Sequence, residues 1–279
     1  IIVKNATYEG FPSKEEMMEP MARGLSLISR YVFGYNYWLD GKNRRMTTGQ
    51  WIWEGEKHST AGLVDWGPLR IMMDGFVNPS RLDVLMMMSR GTLKTTCGQA
   101  WLAQEILRNP NITGLVYMDT DKLANDTVRS IREMLESEVV TYFWGLQKGE
   151  PWSDSSFRVR GNTDLGNKNN TLISGGTNSK TVGKHFDIVW IDDPVDWKQA
   201  LSDQQMQKAI RGFEQIGPQI NNGGRTRVTM TPYAEGDLSF YIRNAPDNGF
   251  HSIVLPCGMR AVSNGKGGHK LEGDPYFPH

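Results

Sequence analysis

Between residues 15 and 34 the apolar positions Met17, Met18, Met21, Leu25, Ile28 and Val32 recur at three- and four-residue steps. That spacing predicts a helix laying a Met/Leu face on a core. The regularity then fails. Residues 38–66 mix Trp, Gly and charge, which predicts an irregular lead-in with buried aromatic anchors and a short strand around residues 50–53. Residues 67–75 predict a short helix, followed by the turn Asn78-Pro79-Ser80.

From there strands and helices alternate. The apolar run 84–88 predicts a buried strand, residues 97–107 a helix stopped by Asn109-Pro110, and residues 114–118 a second strand. The turn Asp119-Thr120-Asp121 opens a helix over 122–137, with Leu123, Val128, Ile131, Met134 and Leu135 in one stripe. Residues 142–145 and 149–156 read as a connection. Residues 157–159 and 171–174 read as paired strands around the polar turn 161–170, and 175–180 as a flexible polar loop. A buried strand at 188–191, a helix at 202–216 and a turn at 221–224 follow. A strand at 227–231, a helix at 237–243 and a strand at 252–255 complete the series. This alternation predicts an α/β fold, a mainly parallel sheet flanked by helices. The domain plan is a helical and aromatic-rich lead-in over 1–78, a core over 79–262, and a linker-like, Gly-, Lys- and Pro-rich tail over 263–279.

Composition narrows the classes. At 279 residues with 38% apolar content, 30 Gly and 13 Pro, the chain suits a loop-rich globular core. Its 31 basic and 31 acidic residues cancel, so any nucleic-acid contact must come from a local patch. Cys97 and Cys257 lie far apart with no histidine at ligand spacing, which argues against a disulfide framework or zinc site. No run of about 18 apolar residues and no charged-then-apolar leader is present, so no membrane partner is expected. The start at Ile1 rather than Met reads as a trimmed fragment.

Three stretches carry candidate chemistry. The strand at 84–88 feeds Ser89-Arg90-Gly91-Thr92-Leu93 and then Lys94-Thr95-Thr96 into a helix, the layout of a P-loop. In such a loop backbone N–H groups and a helix N-terminus wrap phosphates, the Lys reaches the β/γ oxygens and a hydroxyl holds Mg²⁺. Leu93 stands where a glycine is expected, a position a leucine fits if its φ stays negative. Second, the buried strand at 188–191 ends in Asp192-Asp193-Pro194, where one carboxylate can hold Mg²⁺ and its neighbour can orient an attacking water. Third, Arg227-Val228-Thr229-Met230-Thr231-Pro232 ends a strand in a hydroxyl able to sense a γ-phosphate.

In that order the motifs resemble the ATPase domain of the large terminase subunit, the DNA-packaging motor of tailed phages. Residues 89–96 resemble its deviant Walker A, which opens on Ser-Arg or Pro-Arg, and residues 183–194 its Walker B in the Asp-Asp-Pro version. Residues 196–213 are similar to the helix that follows there. Residues 228–238 resemble the coupling motif, and the resemblance spans roughly 79–256. It implies a P-loop NTPase core of RecA-like type that hydrolyses ATP with Mg²⁺. Residues Ser89, Arg90, Gly91, Thr92, Leu93, Lys94, Thr95 and Thr96 would bind nucleotide, and Arg90 would act in cis near the γ-phosphate. Thr95 and Asp192 would hold the metal, Asp193 would take the catalytic carboxylate position, shorter than the Glu of many members, and Thr231 the coupling position.

The implied partners are double-stranded DNA, further copies in a homo-oligomeric ring, a portal protein and a small terminase subunit, in the host cytoplasm and transiently at the procapsid portal. A nuclease domain beyond His279 is expected, and no nuclease activity within this chain. Arg158, Arg160, Lys168, Lys180 and Lys184, set against the single Asp164, are the candidates for DNA contact. An arginine supplied in trans could be Arg129, Arg132, Arg158, Arg160 or Arg211, and the sequence leaves that choice open. Another P-loop translocase of helicase type, and a degenerate P-loop that binds DNA without hydrolysis, are the alternatives.

Overall fold

A computed structural model of the chain describes residues 11–33, 38–39, 45–46, 67–90, 92–160, 170–177, 183–245, 249–255, 260–263 and 269–272. The strand expected around 50–53 lies outside them, as does most of the aromatic lead-in. Helix α1 (Lys14–Met17) opens on a capping box between Ser13 and Glu16, and α2 (Ala22–Tyr31) follows. The single helix expected over 15–34 is thus two. Pro20 has no N–H to donate and its ring clashes with the preceding turn. Strands β1 (Trp38–Leu39) and β2 (Arg45–Met46) pair antiparallel, and α3 (Gly67–Val77) leads into the main sheet.

The core elements then run β3 (Asp83–Met88), α4 (Lys94–Arg108), β4 (Gly114–Met118), α5 (Asp121–Leu135), α6 (Glu138–Trp144), β5 (Lys148–Trp152), β6 (Ser156–Val159) and β7 (Leu172–Gly176). Next come β8 (Phe186–Asp192), α7 (Trp197–Ala200), α8 (Asp203–Glu214), β9 (Ile220–Met230), α9 (Leu238–Asn244) and β10 (His251–Leu255). β11 (Arg260–Ser263) and β12 (His269–Glu272) form an antiparallel pair.

Eight strands form one sheet in the order β10-β3-β9-β8-β4-β7-β6-β5. The six from β10 to β7 are parallel, and β6 and β5 add an antiparallel edge. The sheet is thus mainly parallel, as expected, with an antiparallel edge. Residues 142–144 end a helix and 148–152 form a strand, not a connection. Ser137 caps the extra helix, and edge pairing with β6 orders residues whose own pattern is too polar to announce a strand. Gly175 and Gly176 finish β7 rather than start a loop, because parallel pairing with Tyr117 and Met118 carries the strand through them. The turn expected at 221–224 sits inside β9. Register with β8 jumps from Phe186–Ile220 to Ile188–Arg225, so the Asn-Asn-Gly-Gly run bulges out while the strand continues.

Both faces of the sheet are covered, as parallel strands require. Along β3, Val84, Met86 and Met88 pack with Trp101, Val116 and Trp190 in one core, while Leu85 and Met87 pack with Tyr117, Ile191 and Val228 in the other. Helix α4 lies close on β8: a Cβ at Gly98 would come within 2.1 Å of the Trp190 ring. That contact locks the helix carrying Lys94 to the strand carrying Asp192. At the opposite end of the sheet, buried Arg227 donates to the carbonyls of Phe76 (2.9 Å), Leu82 (2.7 Å), Thr226 (3.0 Å) and Asn78 (3.1 Å). It ties the end of α3 and the start of β3 to β9. Among the described residues no helix is long and apolar enough to cross a membrane.

Candidate functional site

The C-terminal tips of β3, β9, β8 and β4 lie side by side, with Met87 opposite Met230, Asp192 opposite Thr229, and Met118 opposite Asp192. Ligands of open α/β sheets bind at such carboxyl ends. After β3 the chain turns through residues 89–93, and Thr92 Oγ1 donates to Ser89 O at 2.9 Å. Leu93, the residue before α4, has φ 65° and ψ 21°, the left-handed conformation a glycine would take. A negative φ is therefore not how leucine fits here. The turn imposes the glycine geometry, and the side chain is held against the core beside α4. The helix begins at Lys94, earlier than the pattern indicates, so Lys94, Thr95 and Thr96 form its first turn, where free N–H groups and the helix dipole favour anions. Gly91 lies outside the described residues.

Lys94 is only 5% exposed, so its ammonium must be satisfied from within. It donates to Met88 O (3.2 Å), Ser89 O (3.3 Å) and Thr231 Oγ1 (2.6 Å), and stands 3.4 Å from Asp193 Oδ2. One cation thus joins the loop, the tip of β8 and the tip of β9.

Asp192 is fully buried. Thr95 Oγ1 donates to its Oδ2 at 2.6 Å and Thr229 Oγ1 to its Oδ1 at 2.6 Å, while Trp190 Nε1 fixes Thr229 at 3.0 Å. Burial first, and the neighbouring Asp193 charge second, push the Asp192 carboxyl up to about 6. The Thr229 and Thr95 hydrogen bonds and the Lys94 charge pull the other way. A buried carboxylate raised in this way is one that a cation would stabilise. Its partners are hydroxyls, so the donor set is hard oxygen and fits Mg²⁺, which keeps waters and takes phosphate oxygens as further ligands.

Asp193 has φ 38°, unusual for a residue with a side chain. Its N–H donates to Thr229 O (2.8 Å), its Oδ1 accepts the Thr231 N–H (2.7 Å), and Thr231 Oγ1 lies 3.5 Å from Oδ2. Beyond Thr231, Tyr233 OH accepts from Arg90 Nε (3.0 Å) and Nη2 (2.7 Å). Buried Asp237 holds that turn, taking the N–H groups of Tyr233, Ser239 and Phe240 and capping α9.

From the expected set, Arg90, Thr92, Leu93, Lys94, Thr95, Thr96, Asp192 and Asp193 border one cleft of about 510 Å³. The pattern of the chain did not mark Met118, Asp119, Leu123, Asp196 and Tyr233, which line it too. Asp119 had a usable signal, since it is the polar residue directly after a buried strand, as Asp192-Asp193 are.

The basic candidates do not gather here. Arg158 and Arg160 belong to the antiparallel edge, where Arg160 borders a separate cleft of about 500 Å³ with Lys14 and Trp144. Lys184 precedes β8, at the sheet end away from Asp192. Lys168 and Lys180 lie outside the described residues. Arg129 and Arg132 are engaged with Asp126 and Asp154 at 2.7–3.7 Å.

No protein-family model matches the chain, and no curated protein does. Among solved structures it is similar to Saccharomyces cerevisiae Dbp5 bound to Nup159, Gle1, IP6 and ADP, with 11% identity, 67% of this chain and 47% of that chain covered, and a TM-score of 0.43. It is also similar to the DUF1998 helicase MrfA (13% identity, 67% and 30% covered, TM-score 0.39). The yeast DEAD-box splicing factor Prp28 is a third (15% identity, 67% and 45% covered, TM-score 0.40). The chain spans less than half the length of each of these proteins.

Proposed function

We propose that this chain binds Mg²⁺-ATP in the cleft at the strand tips and hydrolyses it to drive movement along nucleic acid. The observation that carries this reading is the meeting of Lys94, Asp193 and Thr231 at one point, with the Thr95–Asp192 pair beside them. Three segments distant in sequence supply a phosphate cation, a paired carboxylate and hydroxyl for a metal, and a carboxylate for water.

Lys94 would exchange its loop carbonyls for the β- and γ-phosphate oxygens, while the first N–H groups of α4 wrap the remainder. Thr95 and Asp192 would hold Mg²⁺, which would supply positive charge against the phosphates. Arg90, parked on Tyr233, reaches the same cleft and would add positive charge near the γ-phosphate. Asp193 would orient the water for in-line attack. Leu93 already has a glycine's backbone conformation, which supports a working loop over a degenerate one.

In the finer reading the chain is the ATPase of a DNA-packaging motor of the large terminase type, supported by the order and spacing of the four motifs. The second reading is a helicase-type translocase, the activity named for MrfA. Turnover of wild type against Lys94→Ala and Asp193→Asn tests the shared core. Wild type hydrolysing ATP no faster than either variant, with DNA present, sinks it. Duplex DNA that raises turnover without strand separation favours packaging. Unwinding of a tailed duplex favours the helicase.

A further inference from the structure

The cleft contains a third strand-tip carboxylate. Asp119 follows β4, and because Met118 sits opposite Asp192, Asp119 emerges beside Asp193 on the adjoining strand. Neighbouring strands are about 4.8 Å apart, so the two residues leave the sheet on adjoining strands and border the same cleft. Their surroundings differ. Asp193, with its positive φ, is turned toward β9, where the Thr231 N–H takes Oδ1 and Lys94 faces Oδ2. Asp119 flanks the tip of β8 from the other side and lines the same cleft.

Asp119 is also held in place. Gln199 Nε2 of α7 donates to Asp119 Oδ1 at 2.5 Å, and Thr177 Oγ1 donates to the Asp119 carbonyl at 2.8 Å. Gln199 is itself fixed by the capping box with Asp196. With one carboxylate oxygen anchored by an amide N–H, the side chain has a defined direction.

We infer that Asp119 is a second catalytic carboxylate of the ATP hydrolase, accepting one O–H of the attacking water while Asp193 accepts the other. This rests on the ATPase reading above. In the step the water oxygen bonds to the γ-phosphorus as the bond to the ADP oxygen breaks. The electron pair leaves on ADP, and the proton shed by the water departs with inorganic phosphate. Two acceptors on opposite flanks fix the water's orientation, which one carboxylate on a short aspartate arm leaves free to rotate.

Asp119→Asn tests this cleanly, because the amide oxygen still accepts from Gln199 and only the charge is lost. Steady-state hydrolysis and ATP binding are measured for wild type, Asp119→Asn, Asp119→Glu and Lys94→Ala. The expected result is a kcat for Asp119→Asn lowered about 10- to 100-fold with KM for ATP within about twofold, and partial recovery in Asp119→Glu. A kcat within about twofold of wild type overturns the inference and leaves the ATPase reading standing. So does a loss of ATP binding that accounts for the whole defect. Wild type no faster than Lys94→Ala overturns both.

Discussion

The Thr231 backbone N–H donates to Asp193 Oδ1 across 2.7 Å, while the Thr231 hydroxyl takes the Lys94 ammonium at 2.6 Å. The residue after Met230 therefore touches both Lys94 and Asp193. Any movement of Lys94 toward a phosphate must loosen or shift the tip of β9. Helix α9 hangs from that tip through the turn that Asp237 holds.

Thr231→Val removes the hydroxyl and keeps the shape and the backbone N–H. A hydrogen bond to a charged group contributes about 1.5–3 kcal/mol. Lost in the transition state, about 1.4 kcal/mol of it slows turnover roughly tenfold. The expectation is a fall in DNA-stimulated kcat of about tenfold with ATP affinity within about twofold, and recovery in Thr231→Ser. Equal loss in the valine and serine variants would show that the hydroxyl plays no part.

Leu93 separates backbone from side-chain effects. A left-handed conformation costs a non-glycine residue about 1–2 kcal/mol. Leu93→Gly relieves that cost but gives up apolar packing on the core, so net stability should change by less than about 1 kcal/mol with ATP binding retained. Leu93→Val, β-branched at positive φ, should lose stability and nucleotide binding together. Urea midpoints and ATP titrations of the two variants would read this. A valine variant as stable as the glycine one would contradict it.

Asp192 makes a pH signature. Its folded value of about 6 lies above the usual 3.8, so between those limits the folded state binds more protons than the unfolded. The stabilising proton is fully present below about 3.8 and is lost as pH rises through about 6. At neutral pH the ionised group therefore costs the metal-free fold on the order of 3 kcal/mol at most. Asp192→Asn should raise metal-free stability at pH 7, flatten this part of the profile, and abolish the extra stability conferred by Mg²⁺-ATP. Denaturant titrations from pH 4 to 8, with and without Mg²⁺-ATP, would check all three. An Asn variant less stable than wild type at pH 7 without metal would refute the linkage.

Arg227 lies at the end of the sheet away from the cleft and is structural. Burial lowers its affinity for the proton, but the guanidinium remains charged and is satisfied by backbone carbonyls. Arg227→Met leaves those buried acceptors without donors and should cost about 3–5 kcal/mol, with Arg227→Lys between it and wild type. A methionine variant within about 1 kcal/mol of wild type by urea denaturation would show that water replaces the clamp.

Period and residue type marked the strands of the parallel centre: residues 84–88, 114–118 and 188–191 are apolar runs long enough to be buried on both faces. Lys94, Thr95, Asp192 and Asp193 stand at strand or helix ends in that pattern. Pro20 breaks the first helix even though helical spacing continues on either side of it. The strand at 148–152 is not legible in the pattern, because its order comes from pairing with β6. Asp119 went unremarked because Asp119-Thr120-Asp121 is equally a helix start, and Thr120 does cap α5.

What the chain determines by itself is which groups are available: a lysine and two hydroxyls opening a helix, two carboxylates closing a buried strand, a threonine closing another. Which of them meet was decided by strand order. Because β9 inserts between β3 and β8, Thr231 contacts Lys94 across 137 positions of sequence, a pairing that local pattern cannot encode. The tertiary structure also decided the backbone at Leu93 and Asp193. Side-chain preference alone argues against positive φ at both positions. Loop closure and the packing of α4 on β8 overrule it, since one unfavourable dihedral costs less than leaving Lys94 and Asp192 buried without partners.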